Sequence, residues 1–152
     1  MKHSFLLDEN IFYLSIKGVD VHDQPDLTAI QLVTSIAKNC HSIRYNAFLL
    51  TRYRHHLALL KKEPSRLLQP VFFERLFFGN SAKAVQEFTD PPDLPANAQI
   101  PNEDIDVVRA ALVSHPKFIT SDTKLRDAIN ACEHLHLTAM NPSEAMVFAS
   151  ET

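Results

Sequence analysis

The hydrophobic positions of this chain fall into short dense clusters divided by polar stops, and the clusters switch between a strand-like and a helix-like period. Phe5-Leu6-Leu7, ended by Asp8, reads with Ser4 as a buried strand over residues 4–7. From Glu9 to about Lys17 the pattern is helical, and Gly18 stands where a helix stop belongs. Asp23-Gln24-Pro25-Asp26 supplies cap and first-turn chemistry for a second helix, on which Leu27, Ile30, Val33 and Ala37 recur at helical spacing. Residues 42–45 predict a second short strand. A third helix over 46–62 puts Leu49, Tyr53, Leu57 and Leu60 on one face, with Arg52, His55 and His56 on the adjacent face. Pro64 ends that helix, and Pro70 starts another that carries the Phe-rich stretch 72–78 and closes near Gly79.

Residues 91–101 hold four prolines and form a rigid connection. Beyond it the pattern predicts a helix over 102–114, a strand over 117–120, a helix over 122–133, a strand over 136–140 and a helical turn from Pro142. Strands alternating with helices predict a single three-layer α/β/α domain over residues 1–152 with a mainly parallel sheet. In such sheets ligands bind beyond the carboxyl ends of the strands.

Composition narrows the chemistry. The 152 residues are 45% apolar and 22% charged, as in an ordinary globular domain. No run reaches the ~18–20 apolar residues of a bilayer span, and the N-terminus meets an acid too soon for a secretory signal. Cys40 and Cys132 are too few for a disulfide scaffold, which points to a reduced, cytoplasmic setting with both thiols as packing residues. Gly18 and Gly79 are the only glycines, so no Gly-rich phosphate loop exists.

The informative residues are acidic. Asp8-Glu9-Asn10 follows the first strand, Glu103-Asp104 heads the helix leading into a later strand, and Thr120-Ser121-Asp122 ends that strand. The predicted topology brings all three to one sheet edge. Carboxylates ~4–6 Å apart repel by several kcal/mol per pair at an effective dielectric near 20. A hard cation relieves that repulsion, and oxygen ligands without zinc-spaced His or Cys favour Mg²⁺ or Mn²⁺. Each of Asp8, Asp104 and Asp122 also stands where an N-cap is wanted.

Charge is uneven. Residues 38–75 carry eight basic and two acidic side chains, a balance of +6, against −9 for the remainder. Arg54, His55, His56, Lys61 and Lys62 make this segment a candidate surface for phosphate backbone; a solvated helix face is the competing reading.

At the acidic motifs the chain resembles the PIN domain family, which includes VapC-type toxin ribonucleases, and the resemblance covers nearly its whole length. A strand running into Asp8-Glu9-Asn10, Asp104 before a helix with Ala110-Ala111, a strand into Thr120-Ser121-Asp122, and the closing 137–144 segment match the family's order. The resemblance implies a metal-dependent ribonuclease with Asp8, Asp104 and Asp122 as catalytic metal ligands. Glu9, Asn10, Glu103, Thr120 and Ser121 would support them. It also implies RNA as substrate, an antitoxin as possible partner and a homodimer. One departure stands out: many members carry a Glu before an aromatic on the helix after the second strand, where this chain has Arg52-Tyr53. A guanidinium cannot ligate a cation and competes with it for carboxylates. Three classes therefore remain: a ribonuclease, a degenerate PIN domain that binds RNA or protein, and a toxin subunit masked by an antitoxin. Metal-dependent cleavage of an RNA pool separates the first from the second, and a neighbouring small open reading frame marks the third.

Overall fold

A computed structural model describes residues 1–63 and 68–152. The expected helix stop at Pro64 and the contribution of Arg66 to the basic segment lie outside the described residues. The strands are β1 (Ser4–Leu7), β2 (Ser42–Tyr45), β3 (Ala84–Gln86), β4 (Lys117–Ile119) and β5 (Ala139–Met140). They form one all-parallel sheet in the order β3-β2-β1-β4-β5. The helices are α1 (Glu9–Lys17), α2 (Thr28–Lys38), α3 (Ala47–Lys61), α4 (Leu68–Phe73), α5 (Ile105–Ala111), α6 (Thr123–Ala131) and α7 (Pro142–Ala149). They cover both faces of the sheet, giving the expected three-layer α/β/α architecture, with α2 packed on α1 and α7, and α3 on α1 and α5.

The strand order places the site. From β1 the chain moves outward through β2 to β3, then crosses back to β4 on the other side of β1 and on to β5. The reversal falls between β1 and β4, so the crevice beyond their carboxyl ends is the topological switch point. Leu7 pairs with Ile119 there, and the Asp8 N–H donates to the Ile119 carbonyl at 2.9 Å.

Several boundaries move from those the sequence predicts. Strand β3 has no sequence-level counterpart; it pairs Ile43, Arg44 and Tyr45 with Ala84, Val85 and Gln86 at the sheet edge. Helix α2 starts at Thr28, later than its cap-like tetrapeptide, because Pro25 is drawn into an antiparallel bridge with Val19. The buried face of α2 is then Ala29, Leu32, Val33 and Ile36, and Leu27 is 61% exposed. Pro70 lies inside α4, which continues as a π turn over Glu74–Phe78, where the Gly79 N–H reaches the Glu74 carbonyl at 2.9 Å. Asn102–Asp104 is a tight 3₁₀ turn and α5 ends at Ala111, well short of residue 114. Only Ala139–Met140 of the expected last strand pairs. Gly18 meets its expectation: it closes α1 in the left-handed region at φ 66°, with its N–H on the Leu14 carbonyl.

The core runs through both layers beside the sheet, with Phe5, Phe12, Leu32, Tyr53, Phe77 and Phe118 all fully buried. Of the Phe-rich stretch, Phe73 and Phe77 are core, and Phe12 stacks on Tyr53 at 4.8 Å between centroids. Cys132 is buried as expected, whereas Cys40 lies beyond the end of α2 and is exposed rather than packed in the core, with its Sγ 3.6 Å from the Met1 carbonyl. At the opposite end of the sheet from the crevice, His41 is 1% exposed and ties the termini together. Its Nδ1 accepts from the His3 N–H at 3.0 Å and its Nε2 lies 2.8 Å from the Glu151 carbonyl.

Candidate functional site

Asp8 is the first residue past β1, where the end of the strand forces its side chain to the crevice. Its Oδ1 accepts the Glu9 N–H at 2.8 Å, capping α1, and its Oδ2 accepts the Thr120 hydroxyl at 2.9 Å. Thr120 Oγ1 in turn accepts the Asp122 N–H at 3.1 Å. Asp122 caps α6 through Oδ1 and the Leu125 N–H. The helix-cap reading of Asp8 and Asp122 is therefore correct as local structure, and both keep further carboxylate lone pairs.

Asp104 arrives from elsewhere. The proline-rich connection and the 3₁₀ turn deliver it to the start of α5, which packs on α3. It makes no side-chain cap bond, and its Oδ2 is buried with no hydrogen-bond partner. Burial first, then the charges of Asp8, Asp122, Glu103 and Glu9, push its carboxyl up from 3.8 to about 6. Burial also raises Asp8, against the lowering effect of its bonds from Thr120 and Glu9 and with a further upward push from the charges of Glu9 and Asp122.

A cavity of about 20 Å³ opens between β1, α3 and α5, lined by Asp8, Glu9, Arg52, Glu103 and Asp104 among others. That is room for one water-sized occupant. Asp122 does not line it: it is exposed at the rim and acts on Asp8 and Asp104 through its charge. Asn10 also stands apart and lines a separate cavity with Tyr13 and Asp20. Ser121 lines a different cavity, together with Thr123 and Arg126.

Arg52 reaches the site, but its ion-pair partner is Glu9, at 3.7 Å, while its guanidinium lies 5.0 Å over the Phe48 ring. One helical turn on, His56 Nε2 meets the other Glu9 oxygen at 2.9 Å. The i, i+4 spacing of Arg52 and His56 thus clamps one carboxylate, a role the sequence does not announce because Glu9 comes from another element. His55, Arg54 and Lys62 are exposed on α3 and its end, and Lys61 is paired with Glu74 at 2.5 Å. Tyr53 is a further missed contributor. It is fully buried and its hydroxyl donates to the Leu7 carbonyl, which fixes the end of β1 directly before Asp8.

The donor chemistry suits a hard cation, since four of the lining side chains are carboxylates and one buried carboxylate oxygen has no partner, but Arg52 lines the same cavity. Among the described residues, no three His, Cys, Asp or Glu side chains already stand as a metal-holding group. No helix among the described residues is long and apolar enough to cross a membrane.

Fold and site together define an α/β domain with an acidic crevice at its switch point. No family model matches the chain, and no curated protein does. A solved structure of a PilT N-terminus domain protein from the hyperthermophilic archaeon Sulfolobus solfataricus P2 is similar. The two are 10% identical, with 98% of this chain and 95% of that chain covered and a TM-score of 0.47.

Proposed function

We propose that this chain is a PIN-like ribonuclease that hydrolyses RNA phosphodiesters with Mg²⁺ or Mn²⁺. The observation that carries the reading is Asp104: a carboxylate with one oxygen buried and unpartnered, raised to about 6 largely by burial and by the acids around it. A group so placed is costly without a positive partner, and such costs collect at functional sites. Asp8 and Asp104, with Asp122 at the rim, would hold the cation, and Glu9 and Glu103 would support them. When bound, the cation neutralises these carboxylates and lowers the pKa of a water for in-line attack on phosphorus. The chain's own part is positional. Thr120 and the Glu9 N–H hold both Asp8 oxygens, and Tyr53 holds the strand end on which Asp8 sits. Closing three ligands on one ion requires at least one carboxylate to reorient.

The second reading, a degenerate module that binds RNA or protein without cleaving, is favoured by one observation: Arg52 lines the acidic cavity, where a cation would compete with it. An antitoxin partner and a homodimer belong to the proposal through the family resemblance alone. Incubating the purified chain with a mixed RNA pool, with and without Mn²⁺, decides between the readings. Mn²⁺-dependent cleavage that Asp104→Asn abolishes supports the nuclease, and RNA binding without cleavage supports the module.

A further inference from the structure

We propose that the cavity between the 18–28 loop and the starts of α6 and α7 is a guanine-reading subsite, holding one base of single-stranded RNA beside the acidic crevice. This rests on RNA being the substrate. The cavity has a volume of about 270 Å³. That is below the ~300–1,000 Å³ of pockets for drug-sized ligands and suits a single heterocycle.

Its walls are apolar where a ring face would lie, with Leu14, Val19 and Pro142 among them. The loop forming one wall is already closed on itself. Val19 bridges Pro25, the Asp20 N–H bonds the Gln24 carbonyl at 2.9 Å, and the Asp26 N–H bonds the Gly18 carbonyl at 3.0 Å. A wall that needs no ordering on binding costs little affinity.

Three charged side chains line the same cavity: Asp20, Asp26 and Arg126. Asp20 Oδ1 takes the His22 and Gln24 N–H groups at 2.8 and 3.0 Å, and Asp26 Oδ1 takes the Thr28 N–H and hydroxyl at 2.8 and 2.6 Å. The Thr28 bonds hold Asp26 below the usual carboxylate range, so it stays an ionised acceptor. Each carboxylate has about four acceptor sites and so keeps capacity for a ligand. Arg126 donates to the Thr120 carbonyl at 3.4 Å and has other N–H groups to give.

Two carboxylates against one guanidinium repel a phosphate but accept a neutral ring with donors on one edge and acceptors on another. Guanine alone among the four RNA bases offers two adjacent donors, N1–H and N2–H₂, for a carboxylate, together with O6 and N7 for an arginine fork. The position is also right. Ser121 and Thr123 flank Asp122 and line this cavity, so a base seated here brings its own backbone to the crevice. Thr120 joins the two sites, its carbonyl toward Arg126 and its hydroxyl on Asp8.

The test is amide NMR of the full chain titrated with GMP, AMP, CMP, UMP and inorganic phosphate, without metal. The expected result is saturable shifts from GMP at residues 19–21, 121–123 and 141–143, with the other nucleotides about tenfold weaker or more and phosphate silent. Ser143→Phe, which places a ring at the exposed mouth, should abolish the GMP shifts, and Arg126→Gln should lose the preference for GMP. Equal shifts from all four nucleotides, shifts from phosphate alone, or none at all overturn the subsite. A discriminating GMP response in a chain that ignores Mn²⁺ would sink the nuclease reading and leave the subsite standing. The converse result removes only the subsite.

Discussion

Thr120 and Asp8 directly follow the neighbouring strands β4 and β1 and share a directional hydrogen bond: the Thr120 hydroxyl donates to Asp8 Oδ2 at 2.9 Å while accepting the Asp122 N–H at 3.1 Å. One hydroxyl therefore couples two of the three acids, and at 0% exposure no water can replace it. Thr120→Val keeps the shape and removes the donor, leaving a buried carboxylate oxygen unsatisfied at a cost of about 1–3 kcal/mol. Urea denaturation should show that loss for Thr120→Val and little of it for Thr120→Ser. Equal stability of the two variants would mean the bond carries nothing.

How far such a site is legible in sequence depends on whether its parts are local. Asp8 and Asp122 are, because each follows a short apolar strand and caps the next helix, and both signals are written within a few residues. The same is true of Gly18 and of the apolar face Leu49, Tyr53, Leu57 and Leu60. Strand β3 is not legible, since three residues at a sheet edge carry no period and exist as a strand only through pairing with β2. The late start of α2 depends on a bridge between Val19 and Pro25 that no propensity encodes. The Glu9 clamp joins residues 47 positions apart and the His3–Glu151 contact joins residues 148 apart, so neither exists until the fold does.

Arg52 offers the clearest perturbation of the site. Because its side chain is 50% exposed, its pair with Glu9 is worth only about 0–1 kcal/mol. Arg52→Glu removes that pair and also adds a negative charge beside Glu9 and the cavity. The metal-free protein should lose more stability than Arg52→Gln does, while Mn²⁺ affinity by calorimetry should tighten. Unchanged affinity and stability would show that the charge of Arg52 does not act on the acids.

The basic segment separates by exposure. Arg54 and Lys62 are exposed, whereas Lys61 is paired with Glu74. Replacing Arg54 and Lys62 with Gln should weaken single-stranded RNA binding regardless of sequence, and should reduce the slope of log K against log salt by roughly 0.7 per lost phosphate contact. Lys61→Gln should do less. Affinity unaltered by the double variant would identify this charge as a solvated face.

At the far end of the sheet, His41 has its pKa lowered, chiefly by burial, with His3, the N-terminal ammonium and Lys83 adding to the effect and its bond to the Glu151 carbonyl opposing it. The unfolded chain therefore takes up a proton first as pH falls, and the stability His41 contributes is full above about pH 6.5 and lost as pH drops through the folded value. Between pH 7.5 and 5.5, wild type should lose more stability in urea than His41→Gln. Parallel losses would assign the acid sensitivity elsewhere.

Thermal denaturation with and without millimolar MnCl₂, on wild type, Asp8→Asn and Asp104→Asn, bears most directly on the metal-dependent nuclease. Asp104 is raised to about 6 from 3.8, so its favourable contribution is full below 3.8 and lost as pH rises through about 6. Without metal at pH 7.5, Asp104→Asn should then melt no lower than wild type. Mn²⁺ should raise the melting temperature of wild type and leave both variants unmoved. A wild-type melting temperature indifferent to Mn²⁺ would contradict the metal site, and with it the assignment of Asp8, Asp104 and Asp122 as ligands.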